Sequence, residues 1–184
     1  MRVLVTGGKG FLGSNLTRLL LDKGYDVTVY DITKNERNIE EIKDRIEVIT
    51  GDIRDASKLA DTVKGKDAIV HLAANVSHIK GQVDPYLDLS TNAQGTLNLA
   101  EAVKKNAIDA PILYACSRSV YGFPSYLPVD EKHQTVPLDN YGMTKLMGEK
   151  YLQLYGWHYG LKVISFRMAN LFGERQSLNT RAYQ

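Results

Sequence analysis

Tyr141-Gly-Met-Thr-Lys145 sets a phenol and an ammonium four residues apart, a spacing that stacks both on one face of a helix. A cation beside a phenol favours the phenolate, which makes an acid/base usable near neutral pH, where a free tyrosine is not. The same spacing occurs at Tyr30 and Lys34. There it begins on a predicted strand, where side chains alternate and do not stack, so that pair reads as coincidence. Ser117 stands just past another predicted strand. In an open α/β sheet, ligands bind outside the carboxyl ends of the strands. A hydroxyl there can bond a substrate oxygen and steady a phenolate; its alternative reading is a turn residue.

A second chemistry lies at the amino end. Thr6-Gly7-Gly8-Lys9-Gly10-Phe11-Leu12-Gly13 follows a strand and opens a helix. Glycines there permit a tight turn and close approach of a pyrophosphate to backbone N–H groups, and the helix start adds partial positive charge. Asp31, 21 residues past Gly10, closes the second strand where a carboxylate takes ribose hydroxyls. A carboxylate accepts from a 2′-hydroxyl and repels a 2′-phosphate, favouring NAD over NADP, with Lys34 and Arg37 as the cations that would hold such a phosphate. Asp52-Ile53 closes the third strand beside the adenine position; helix capping is the other reading, with Asp55 as the alternative cap.

These groups need a scaffold that brings strand ends together. Short β-branched runs alternate with helical periodicity, which predicts parallel βαβ units. Strands are predicted at Val3–Thr6, Val27–Tyr30, Glu47–Ile49, Ala68–His71, Ile112–Ala115 and Lys162–Phe166. Helices are expected near 11–22, 55–64, 85–105 and 141–158, with a weaker pattern at 36–44. A loop at 117–140 holds Pro124, Pro128 and Pro137, and loops of that length in compact domains are usually functional.

Composition narrows the class. The chain has 184 residues, 43% of them hydrophobic and 24% charged, which excludes a disordered tail or fibre and fits one domain. A net charge of +2 is too balanced for a nucleic-acid footprint. A lone Cys116 cannot form an internal disulfide, and the start Met-Arg-Val-Leu-Val-Thr-Gly-Gly lacks the apolar stretch of a signal peptide. No apolar run is long enough to span a bilayer. The expectation is a cytoplasmic α/β domain without a membrane anchor.

The motifs then add up. Thr-Gly-Gly-x-Gly-Phe-Leu-Gly, Asp31, Gly51-Asp52-Ile53, His71-Leu-Ala-Ala, Asn92-Ala-Gln-Gly-Thr96, Ser117-Arg-Ser-Val-Tyr-Gly122, Tyr141-x-x-x-Lys145 and Arg167-Met-Ala-Asn-Leu-Phe-Gly173 occur in order. Together they resemble the extended short-chain dehydrogenase/reductases, specifically the NAD-dependent nucleotide-sugar epimerase/dehydratase family. The resemblance implies a doubly wound parallel, Rossmann-like sheet in one domain, 1–173, with 174–184 a short polar tail where the family's smaller substrate lobe would begin. It implies that Gly7, Gly10, Phe11 and Leu12 hold the pyrophosphate, Asp31 the adenosine ribose, and Asp52 with Ile53 the adenine. Leu72, Ala73 and Ala74 would line the cofactor, with Asn92 nearby and Met168 by the nicotinamide. Lys145 would bind the nicotinamide ribose, Tyr141 act as acid/base, Ser117 orient the sugar, and Asn170 contact the nucleotide diphosphate. The implied reaction is epimerisation of a nucleotide sugar at C4 through a 4-keto sugar, NAD carrying the hydride out and back. The dehydratase branch has an Asp-Glu pair after the catalytic Ser or Thr; Arg118-Ser119 stand there instead, which disfavours a 4,6-dehydratase. A nucleotide-sugar dehydratase or net reductase on the same frame and a non-catalytic NAD-binding module are the alternatives.

Four histidines, His71, His78, His133 and His158, show no metal-ligand spacing, and His71 reads as a packed residue. Cys116 reads as a small buried side chain. Leu146, Met147, Tyr151, Leu152, Leu154 and Tyr155 form a core stripe, and the apolar surplus on that helix and on 85–105 is expected to serve a homodimer.

Overall fold

The computed structural model describes residues 1–176. Six strands, β1 (Arg2–Thr6), β2 (Asp26–Asp31), β3 (Glu47–Thr50), β4 (Ala68–His71), β5 (Ile112–Ser117) and β6 (Val163–Met168), form one sheet in the order β3-β2-β1-β4-β5-β6. Every adjacent pair is parallel. This is the doubly wound order, whose strand direction of growth reverses between β1 and β4, the switch point where ligands bind.

Both faces are covered, which is why the strands are apolar runs rather than alternating ones. On one face Val3, Val5, Val27, Val29 and Val70 meet Leu16, Leu20 and Leu21 of α1 (Phe11–Asp22). On the other, Leu4, Ile69, Ile112, Tyr114 and Cys116 pack against α2 (Ala56–Thr62), α5 (Gly95–Asn106) and α6 (Asn140–Tyr159). Leu99, Val103 and Leu152 are fully buried there. Leu152 and Tyr155 of the expected stripe are core, whereas Leu154 lies 40% exposed on the outer side of α6.

The sequence-based elements shift in instructive ways. The helix expected at 85–105 is three pieces: α4 (Pro85–Asp88), a π-helical turn (Leu89–Gln94) and α5. The wide turn carries Asn92, whose side chain bonds both the Asn75 backbone and Thr144 of α6. A second helix, α3 (His78–Val83), was not expected: six residues with one glycine give no readable period. The 36–44 pattern is a 3-10 helix at Glu40–Arg45. Ser117 belongs to β5, and a 3-10 turn (Arg118–Val120) opens the loop assigned to 117–140. Residues 177–184 of the expected tail lie outside the described residues. Among the described residues no helix is long and apolar enough to cross a membrane.

Candidate active site at the carboxyl edge of the sheet

Thr6, Asp31, His71, Ser117 and Met168 all end parallel strands, so one edge of the sheet gathers residues from the whole chain. At the switch point Gly7 turns the chain with φ +72°, donating to the Tyr30 carbonyl at 2.8 Å. A Cβ at Gly7 would sit 2.8 Å from the Ala73 nitrogen, so glycine is required by conformation and by space. Gly10 caps α1 without a side-chain bond, and the first turn holds no acidic residue. The N–H groups beginning at Phe11 and Leu12 therefore face outward with the helix's partial positive charge intact, a ready anion site.

Asp31 is buried, with one oxygen accepting from the Lys9 N–H at 2.9 Å and the other from the Thr33 N–H at 3.0 Å. Each oxygen keeps a further lone pair, enough to accept two ribose hydroxyls. Leu72 donates its N–H to the Thr6 carbonyl and Ala73 to the Thr6 hydroxyl, which lays the segment through Ala74 against the glycine turn. Asn92 has both ends of its amide engaged, bracing that segment at Asn75. Asp55, not Asp52, caps α2, accepting from the Lys58 N–H at 3.0 Å. Asp52 instead takes the Arg54 guanidinium at 2.8 Å, which holds its carboxyl below the usual range. Ile53 is buried, and a Cβ on Gly95 would come within 2.6 Å of its side chain.

The other half of the edge is built from side chains. Lys145 is fully buried, and desolvation pulls its ammonium down to about 8. Its Nζ lies 4.3 Å from the centre of the Tyr114 ring, whose hydroxyl donates to the Lys145 carbonyl at 3.1 Å. Tyr141 sits half-buried one turn earlier on α6. Asp139 caps that helix by accepting from the Gly142 N–H at 2.7 Å. A Cβ on Gly142 would stand 2.7 Å from the Ser119 carbonyl oxygen, so the turn after Ser117 presses directly on the first turn of α6. The structure thus sets the carboxyl end of β5, which Ser117 closes, beside the start of α6, which carries Tyr141 and Lys145, with Cys116 Sγ 3.8 Å from the Lys145 carbonyl. Ser117 also performs the turn role: its Oγ accepts from the Ser119 N–H at 3.1 Å.

His71 is the packed residue expected. Burial, then the Lys145 charge, pushes it down to about 3, so it stays neutral. The Thr96 hydroxyl donates to the Asn92 carbonyl, so His71 Nε2 must donate to Thr96 and Nδ1 accept from Thr6. Cys116 is likewise buried, its thiol pushed up to about 12. Met168 pairs with Ser117 in the sheet, and Asn170 is exposed, accepting from Arg118 Nε at 3.1 Å.

Two residues beside Tyr141 escaped the sequence reading. His78 Nδ1 lies 2.5 Å from Asp139 Oδ2, and its ring meets the Tyr141 ring edge-on at 4.7 Å. Asp139 was readable as a cap before a helical pattern; His78, 61 positions away, carried no local signal. A groove of about 1320 Å³ opens along β6 and α6, lined by Arg118, Trp157, Phe166 and Met168 among others.

Residues 3–183 match the model of the NAD dependent epimerase/dehydratase family. A putative UDP-glucose 4-epimerase of Methanocaldococcus jannaschii is 38% identical over 178 residues, covering 95% of this chain and 57% of that protein. The structure of Thermus thermophilus UDP-glucose 4-epimerase in complex with NAD superposes with a TM-score of 0.91 at 32% identity, covering 99% of this chain and 59% of that one. A dTDP-glucose 4,6-dehydratase from Streptomyces venezuelae, with NAD bound, gives 0.90 at 32% identity, over 96% of this chain and 58% of that one. The chain thus spans somewhat over half the length of the relatives it matches. With glycine turn, closing carboxylate and Tyr-Lys helix all on one sheet edge, this chain belongs to the NAD-dependent epimerase/dehydratase family.

Proposed function

We propose that this chain carries the NAD-binding and acid/base half of a nucleotide-sugar 4-epimerase. The observation that carries the reading is Lys145, an ammonium sealed from water one helical turn from Tyr141, on the helix whose first turn meets the 3-10 turn that follows Ser117. Burial of a cation is costly, and a positive charge held beside a phenol is what an acid/base tyrosine requires.

The residues fit the cofactor. The uncapped start of α1 and Gly10 suit a pyrophosphate, Asp31 retains acceptor capacity for a ribose, and Leu72, Ala73 and Ala74 form an apolar wall beside Gly7. Asp52 and Ile53 would flank the adenine, and Met168 the nicotinamide. When bound, NAD supplies a hydride acceptor that returns the hydride in the second half of the cycle. Tyr141 removes the proton of the sugar C4 hydroxyl as C4 becomes a carbonyl, and gives it back after the 4-keto sugar has turned over. Ser117 donates to that oxygen, Lys145 keeps the phenolate charge compensated, and Asn170 meets the nucleotide diphosphate. No net redox results. Epimerisation is favoured over water elimination because Arg118 and Ser119 follow Ser117, and neither can serve as the elimination acid or base. Exposed Met143, Leu154 and Trp157 on α6, with Leu89 before α5, support pairing of two copies through these helices.

The test is product analysis of the chain incubated with NAD and UDP-glucose or UDP-galactose. Interconversion without net cofactor consumption, reduced at least about 1000-fold in Tyr141→Phe, is expected. Net conversion of NAD to NADH would assign a net oxidoreductase, and loss of water from the sugar a dehydratase.

A further inference from the structure

Lys9 is the unusual residue of the glycine turn. Its side chain is only 1% exposed. The Nζ donates to the Thr33 carbonyl at 3.0 Å and to Glu36 Oε1 at 3.3 Å. Its backbone N–H holds one oxygen of Asp31, and the Thr33 N–H holds the other. Lys9 thereby grips both sides of the carboxylate, directly and through the loop that follows β2. Asn38 closes the same loop, donating to the Lys9 carbonyl at 3.1 Å while Arg18 donates to the Asn38 carbonyl at 2.8 Å. Lys34 and Arg37, the cations the sequence offers to a 2′-phosphate, are instead exposed on that loop.

We propose that Lys9 and Glu36 form a charge latch that decides which adenosine ribose this site accepts. The inference rests on the reading that the edge binds NAD. With Glu36 in place, Lys9, Glu36 and Asp31 sum to one negative charge, and the ammonium is spent on Thr33 and Glu36 rather than offered to a ligand. A ribose diol is indifferent to that charge; a 2′-phosphate is repelled by it. Removing Glu36 balances Asp31 with Lys9 and releases one donor of the ammonium, which stays anchored on the Thr33 carbonyl, to meet a phosphate.

The experiment is calorimetric titration of NAD and NADP into the full chain, wild type, Glu36→Gln, Glu36→Ala and Lys9→Met/Glu36→Ala. Wild type is expected to prefer NAD. Both single variants should shift the ratio of the two dissociation constants at least tenfold towards NADP, with NAD affinity held within threefold. The double variant should lose that gain, because the cation that produced it is gone. A ratio unmoved in both single variants, or a gain that survives in the double variant, overturns the latch. Wild type that binds no NAD overturns the underlying reading, and the latch with it.

Discussion

The two halves of the sheet edge solve different problems. Around β1 and β2, the proposed cofactor site is made almost wholly of backbone: the Gly7 turn, the start of α1, and the N–H groups of Lys9 and Thr33 on Asp31. Around β5 and α6 the proposed catalytic groups are side chains, and they must be held by tertiary packing: Lys145 against Tyr114, Tyr141 in the helix turn that Asp139 caps, and the Ser119 carbonyl just past Ser117 against Gly142. A polyanion is met by fixed dipoles that cost nothing to bury. An acid/base needs a desolvated charge, and that charge is a standing cost to the fold. Binding here is therefore compatible with stability, whereas chemistry opposes it.

The largest expected effect breaks the backbone half. Gly7→Ala places a methyl 2.8 Å from the Ala73 nitrogen at a left-handed φ. Strain and overpacking together should cost about 4 kcal/mol of stability in chemical denaturation, and the chain that remains folded should not bind NAD measurably.

His71 sits at the seam between the halves. It is held neutral at a value of about 3, against 6.5 for the free side chain, so the unfolded chain binds a proton that the folded one refuses as pH falls from 6.5. Stability present above pH 6.5 should drop by about 3 kcal/mol by pH 4, and His71→Gln should flatten that limb in pH-dependent urea melts.

Lys145 sharpens the contrast in the opposite pH range. Its folded value of about 8 lies below the ordinary 10.5, so between these values the unfolded chain holds the extra proton and stability rises with pH. The gain from pH 8 to 9 should be about 1 kcal/mol. Cys116, raised from 9.0 to about 12, opposes part of this gain from about pH 8 upward, and Tyr30, also raised to about 12, adds to the opposition above pH 9, because both ionise first in the unfolded chain. Lys145→Met should be catalytically dead, more stable at pH 7, and lack the rise between pH 8 and 9. A wild-type stability flat across that interval would mean the ammonium is not sealed as described.

The smallest effect separates two neighbouring carboxylates. Asp55→Ala should cost about 0.5–1 kcal/mol through loss of the α2 cap and leave NAD affinity unchanged, whereas Asp52→Asn should weaken NAD binding.

Legibility followed the same division. The glycine turn and Asp31 were readable because their contacts are local or obey a fixed spacing, and β-branched runs located all six strands. Tyr141 and Lys145 were readable as an i, i+4 pair, but nothing local announced that Tyr114 would roof the ammonium. The π-helical turn was hidden because its cause, the bonds of Asn92 to Asn75 and Thr144, spans 17 and 52 positions. His78 was hidden for the same reason. Leu154 was misplaced because α6 is apolar on more than one side, and period alone does not say which side meets the sheet.

The most direct test of this division of labour is NAD titration by calorimetry into wild type, Tyr141→Phe and Gly7→Ala, each checked for folding by circular dichroism. The account predicts one NAD per chain with equal affinity in wild type and Tyr141→Phe, and no binding in folded Gly7→Ala. Undiminished binding to folded Gly7→Ala would contradict it, because the cofactor would then be held somewhere other than the turn between β1 and α1.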